Sequence, residues 1–208
     1  MERTKYPRSL HLPWSMGQTS DDKTLGSVEQ FEGKRVVVTT KMDGENTTIY
    51  SDGYLHARST NGNSHVSQAW CRSLAARLAM DIPEGWRVCG ENLYAEHSIR
   101  YEALTSYFNV FSIWNGTECL SWEDTVEWAT MMDLVTVPVL YVGEWDEKAI
   151  RKLSSVVAEG QEGYVVRLAS SFEFSDFGAS LAKYVRANHV QTGAKHWRSC
   201  AITPNSLA

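Results

Sequence analysis

The run Arg35-Val-Val-Val-Thr-Thr-Lys41, followed at once by Met-Asp-Gly-Glu-Asn, limits the fold more than any other stretch of the chain. Successive β-branched side chains are stiff at χ1 and pack well on a pleated surface, so this segment reads as a strand. The Asp43-Gly44 pair marks a tight turn, and Lys41 should emerge at the strand end beside it. Residues 47–59 read as two further strands joined through Ser51-Asp52-Gly53, a hairpin signal that returns the chain towards Lys41.

Val66, Trp70, Leu74 and Leu78 recur every fourth position and predict an amphipathic helix over 64–80, covering one sheet face. Strand patterns follow at 86–94, 107–114, 137–145 and 163–169, with helices over 121–134 and 146–159. Ser121 is the expected N-cap of the first of these helices, with Asp124 three residues on. The pattern predicts an α+β fold. Residues 1–30, rich in Pro, Ser, Gly and Asp, read as an extended lead-in packed on a main domain over 31–190, with a short tail at 191–208.

A chain of 208 residues suits one domain with a real core. With 43% hydrophobic and 22% charged residues in short runs, it reads as ordered and globular. Its longest apolar stretches fall far short of the roughly 20 residues of a membrane span. The N-terminus has no apolar segment of the secretory kind, so a cytoplasmic location is expected. Cys71, Cys89, Cys119 and Cys200 lack metal-ligand or disulfide spacing and read as reduced, mostly buried thiols. The net charge of −5 argues against a broad basic face, so nucleic-acid contacts are expected to be local.

Lysine is a nucleophile only when deprotonated, which requires desolvation or nearby positive charge. Lys41 at a strand end has the right placement, although a solvated turn is the plainer reading of Lys-x-Asp-Gly by itself. Taken singly, Arg58 reads as a solvated charge, Phe111 as core, Glu91 and Glu162 as loop carboxylates, and Lys183 as an exposed charge. Their order changes the balance: Lys41 in KMDGEN, Arg58 in HARS, Glu91 in GENLYAEHS, Phe111 in YFNVFSIWNG, Glu162 in EGYVVRL, and Lys183 and Arg186 in AKYVR. Each lies at the edge of a predicted strand. This ordered set resembles the motif series of the covalent nucleotidyltransferases, the superfamily of DNA ligases, RNA ligases and mRNA capping enzymes, over roughly residues 34–190. The wording, including HLPWS at 11–15, is similar to the RNA ligase family of phages and bacteria.

The resemblance implies an ATP-grasp-like ligase adenylation domain with antiparallel sheets flanked by helices. It implies ATP and Mg2+ as cofactors, with Mn2+ as an alternative ion, and RNA with 5′-phosphate and 3′-hydroxyl ends as the partner. Lys41 would form the lysyl-AMP, with Thr40 and Asn46 also contacting the nucleotide. Arg58 would contact the ribose or the 5′-phosphate end, Glu91 the ribose hydroxyls, and Phe111 the purine face. Glu162 would act near the α-phosphate, Lys183 would neutralise charge on it, and Arg186 would be a second cation. Asp43 and Glu162 would be the oxygen ligands for the metal.

The chain departs from the family where many ligases have Phe-Asp and it has Phe111-Ser112. With only a short stretch after Arg186, no C-terminal OB-fold is expected, and that expectation favours an RNA ligase over a DNA ligase or guanylyltransferase with the same lysine chemistry. A nucleotide-binding or RNA-end-binding module without turnover is the remaining alternative, and the intact lysine and its partners speak against it.

Overall fold

The computed structural model describes residues 2–60, 65–157, 160–189 and 201–208. Cys200, residues 191–200 of the expected tail and the end of the helix expected through 159 lie outside the described residues. The chain enters through β1 (Leu10–His11), β2 (Arg35–Lys41), β3 (Glu45–Tyr50) and β4 (Leu55–Ala57). Helix α1 (Ala69–Leu78) leads to β5 (Trp86–Asn92), β6 (Phe108–Asn115) and β7 (Glu118–Cys119). Next come α2 (Trp122–Met131), β8 (Val135–Thr136), β9 (Val139–Glu144) and α3 (Glu147–Val156). Strands β10 (Gly163–Leu168) and β11 (Phe172–Glu173), a short α4 (Phe177–Ser180) and β12 (Leu181–Val185) close the order.

Two sheets result. The first runs β1-β12-β10-β2-β9, and the second β11-β7-β6-β5-β3-β4 with β8 on β6. The pairings are antiparallel except β1 on β12 and β8 on β6, two-residue parallel pairings. The β-branched run forms β2 as expected, with Val36, Val37 and Val38 all fully buried. Val36 and Val38 pack with Ile150 of α3 and Tyr164 and Val166 of β10, while Val37 turns to the opposite face. At roughly 1.5–3 kcal/mol for each buried valine, this run ties α3 to the sheet that carries Lys41. The inner faces of the two sheets meet through Val165 and Leu181 on one side and Cys89 and Trp114 on the other.

Helix caps follow the sequence. Ser121 accepts from the Asp124 amide, and Asp146 from the Ala149 amide. The 51–53 turn closes with Gly53 at φ +76°, the left-handed region that favours glycine. One expectation is corrected. The stripe facing the second sheet is Cys71, Leu74, Ala75 and Leu78, with Trp70 half-buried and Val66 63% exposed. Val66 lies in a 3₁₀ turn ahead of α1, whose tighter pitch breaks the 3.6-residue phase.

Residues 201–208 run along the loop between β5 and β6, with Pro204 bridged to Ala95 and Leu207 to Leu104. The buried Asn205 amide donates to the Leu93 carbonyl, and its oxygen accepts from the Tyr101 amide. Among the described residues no helix is long and apolar enough to cross a membrane.

Candidate functional site

Strand β2 belongs to the first sheet and β3 to the second, so the Met42-Asp43-Gly44 turn carries the chain from one to the other. Glycine is required there: a Cβ on Gly44 would sit 2.5 Å from the Asn92 carbonyl oxygen and 3.0 Å from Glu91 Cγ. The Gly44 amide donates to Glu91 Oε1 at 3.1 Å, which fixes that carboxylate beside the crossing point. Asn46 faces Glu91 in the β3–β5 register.

Within the first sheet, Lys41 pairs with Gly163, which brings the preceding residue, Glu162, to the lysine. Lys41 Nζ donates to Glu162 Oε2 at 2.7 Å. A Cβ on Gly163 would collide with the Tyr184 carbonyl, so only glycine lets β12 approach this closely. Lys183 then stands across from Val165 and Val165 across from Thr39, on the same sheet surface as Lys41.

Phe111 is placed by an irregularity. In the β5–β6 ladder Cys89 pairs with Ser112 but Gly90 pairs with Val110, leaving Phe111 as the extra residue of a bulge. Val110 and Ile113 therefore share the α1 face, and Phe111 turns inward between the sheets. Bulges re-aim side chains in this way. The Phe111 carbonyl and that of Leu120 accept from the buried Arg167 guanidinium at 3.5 and 2.7 Å.

A cleft of about 610 Å³ opens beside them, its walls including Lys41, Asn46, Arg58, Glu91 and Lys183. A narrower pocket of about 110 Å³ shares Lys41, Asn46 and Glu91 and adds Thr40, Phe111 and Val165. An apolar recess with one aromatic face and a few convergent polar groups suits a heterocyclic base. The wide, cation-bearing part suits phosphates.

Carboxylates dominate the electrostatics around Lys41. Burial pushes its pKa down, but Glu162, Glu91 and Asp43 outweigh burial and hold the ammonium above the ordinary lysine range. The cations nearby do not reverse this in the unliganded chain, so the expected lowering is not found: the carboxylates are closer and more numerous. Glu91 is pushed up to about 8 by burial first, and then by Glu162 and Asp43 against the pull of Lys41. Burial lowers Lys183, partly offset by Asp22 at 3.3 Å.

Asp43 is held from two sides. Its Oδ2 accepts from the Ser98 and Ile99 amides at 2.7 and 2.8 Å, and its own amide donates to Tyr101 Oη. Its Oδ1 faces His189 Nε2 at 3.4 Å, and the same nitrogen lies 3.7 Å from Glu162 Oε1. One ligand atom from each of Asp43, Glu162 and His189 lies within 4.8 Å of the others, all three residues buried. Two carboxylates and an imidazole fit a divalent cation, and the nitrogen suits Mn2+ better than the harder Mg2+.

Not every candidate comes to the cleft. Asp43, Glu162 and Arg186 are outside the lining of both spaces, Glu162 meeting it through Lys41 Nζ; Arg186 Nε donates to the Gln161 carbonyl and its amide to that of Glu162, supporting the turn that carries Glu162. Several neighbours were not anticipated. Tyr6 meets Phe111 edge-on at 5.2 Å and Phe177 at 5.4 Å. Asp22 links Lys183 to His11, each at 3.3 Å. These residues and His189 come from segments with no strand periodicity and are far from Lys41 in sequence, so spacing carried no signal for them.

The RNA ligase family model matches residues 34–185. A comparison with curated proteins gave no match. Among solved structures, an archaeal ATP-dependent RNA ligase superposes with a TM-score of 0.60 at 18% identity, over 87% of this chain and 48% of that one. A putative ATP-dependent DNA ligase from Aquifex aeolicus gives 0.55 at 20% identity, over 87% and 49%. A Naegleria gruberi RNA ligase variant with ATP and Mn gives 0.52 at 17% identity, over 76% and 52%. The chain thus spans about half the length of these proteins, and the likeness establishes a shared ligase nucleotidyltransferase fold. On the family match over most of its length, the chain belongs to the RNA ligase family.

Proposed function

We propose that the chain is the adenylylating part of an ATP-dependent RNA ligase acting in the cytoplasm, with Lys41 as its nucleophile. The observation that carries this reading is Lys41 Nζ at the junction of base pocket and cation-lined cleft, 2.7 Å from Glu162. In the first step Nζ attacks the α-phosphorus of ATP. An N–P bond forms, the Pα–O bond to the β-phosphate breaks, and pyrophosphate leaves with the electron pair. The phosphoramidate keeps the nucleotide's activation for the next transfer. A 5′-phosphate oxygen of RNA then displaces the lysine, which recovers a proton as the N–P bond breaks. A 3′-hydroxyl finally attacks the activated 5′-phosphate, forming the phosphodiester and releasing AMP.

Each residue has a part that follows from its position. Phe111 stacks on the purine; Glu91 and Asn46 take the ribose side; Lys183 offsets charge on the α-phosphate. Glu162, 2.7 Å from Nζ, is poised to take the proton that the ammonium must lose before its lone pair can attack. Asp43, Glu162 and His189 would hold the divalent ion, Mg2+ or Mn2+, whose charge offsets that of the phosphates.

The test is incubation with a divalent cation and α-labelled ATP or GTP, followed by denaturation. Retained ATP label that disappears in Lys41→Ala supports the reading, and joining of nicked RNA but not nicked DNA completes it. GTP label alone would point to a guanylyltransferase. No label from either nucleotide, after treatment with pyrophosphate to strip any bound AMP, would leave a binding module.

A further inference from the structure

The segment ahead of β1 is anchored on both sides of the cleft. Arg3 pairs with Asp52 and lies 4.6 and 4.2 Å from the ring centres of Tyr50 and Tyr54, on the β3–β4 hairpin of the second sheet. Tyr6 sits edge-on to Phe111 at 5.2 Å and to Phe177 at 5.4 Å. Leu10–His11 then joins β12 of the first sheet. Between these anchors Lys5 and Arg8 are exposed and line the wide part of the cleft, as does Arg58.

The charge balance in that space is uneven. Lys41 is paired with Glu162 and Lys183 with Asp22. Among the described residues, Lys5, Arg8 and Arg58 form no salt bridge within 4 Å. Partial burial and then the nearby Arg8 charge disfavour the Arg58 cation, and the more distant pull of Asp22 does not outweigh them. Asp22, Glu45 and Glu91 also line the space, but they are engaged by Lys183, the Gln68 amide and the Gly44 amide; the three cations gathered by the tethered strap therefore repel one another and favour an entering anion. Two guanidinium forks and an ammonium match phosphate oxygens.

We propose that Lys5, Arg8 and Arg58 form a phosphate seat beyond the α-phosphate position, with the strap supplying two of its three cations. The proposal rests on the lysyl-AMP reading for the orientation of the nucleotide. Its phosphate has two sources: the β- and γ-phosphates of ATP, which leave as pyrophosphate, and the 5′-phosphate of the RNA that receives AMP. In either case the seat stabilises charge that builds outside the Lys41–phosphorus bond.

The test uses the full chain, a Lys5→Ala/Arg8→Ala double variant, and Arg8→Lys. Titration with inorganic pyrophosphate, read by calorimetry, needs no turnover. The double variant should bind it about tenfold or more weakly, while Arg8→Lys keeps most of the affinity. Both side chains are exposed, so melting temperatures should stay together. Two rates then assign the source: single-turnover labelling of Lys41 from ATP, and AMP transfer from purified lysyl-AMP protein to 5′-phosphorylated RNA. Slower labelling assigns the seat to the nucleotide tail, and slower transfer assigns it to the RNA end. Unchanged pyrophosphate affinity in the double variant overturns the proposal whatever the rates do. A wild type that binds pyrophosphate through these residues but never labels from ATP overturns the ligase reading and leaves the seat intact.

Discussion

The two sheets contribute different kinds of residue to one cleft. The first, through β2 and β12, brings Lys41 and Lys183, with Glu162 just ahead of β10 paired to Lys41, all of them charged. The second, through β3, β5 and β6, brings Asn46, Glu91 and Phe111, which shape a pocket of about 110 Å³. The chain crosses between them in three residues, Met42 to Gly44, so the two sets of residues are placed by separate ladders that share one turn. On the proposed chemistry, damage to the first sheet should slow bond formation and damage to the second should weaken nucleotide binding.

The largest expected effect tests the first half of that division. Glu162→Gln keeps size and hydrogen bonding but removes the charge beside Nζ. Single-turnover labelling of Lys41 at saturating metal should slow by at least about 10²-fold, the scale of a lost general base, a larger change than that in the ATP concentration for half-saturation. An equal loss in affinity would merge the two sheets' roles. Phe111→Ala tests the second half. Stacking on an aromatic ring is worth about 1–3 kcal/mol, so half-saturation should need roughly tenfold more ATP, with a smaller effect on the saturated rate. If the saturated rate falls instead, Phe111 positions the α-phosphate rather than the base.

The difference between the sheets also explains what the sequence made legible. Strands β2, β5, β6, β9 and β10 fall within the segments marked by β-branched and aromatic runs, and each site residue on them sits in a short contiguous motif. The bulge that aims Phe111 was not legible, because it arises from a register shift between Cys89 and Gly90 that no pattern within β6 encodes. Nor was the direction of the Lys41 shift, which depends on three carboxylates converging from β5, the crossing turn and the start of β10. The strap residues Lys5, Tyr6 and Arg8 lie in a segment with no periodicity, and only their anchors at Arg3 and β1 place them over the cleft. His189 reaches Asp43 and Glu162 only once β12 has docked.

The smallest effect concerns stability and comes from the second sheet. Glu91 faces Lys41, Glu162 and Asp43 and accepts from the Gly44 amide; its pKa is about 8 in the folded chain against an ordinary 4.5. A raised carboxylate pKa means that the folded state binds the proton more tightly. Its stabilisation is therefore complete below about pH 4.5 and is lost as pH rises towards 8. The unliganded protein should melt at progressively lower temperature across that window. Glu91→Gln, which stays neutral at every pH, should flatten the decline and melt higher than wild type near pH 8. The comparison is between melting curves of the two proteins at pH 5, 6.5 and 8 at fixed ionic strength. Parallel declines would show that Glu91 is ionised in the folded chain, with Lys41 compensating its charge. Glu91 would then belong with Glu162 in setting the charge of the nucleophile, and the division between the sheets would fail at this residue.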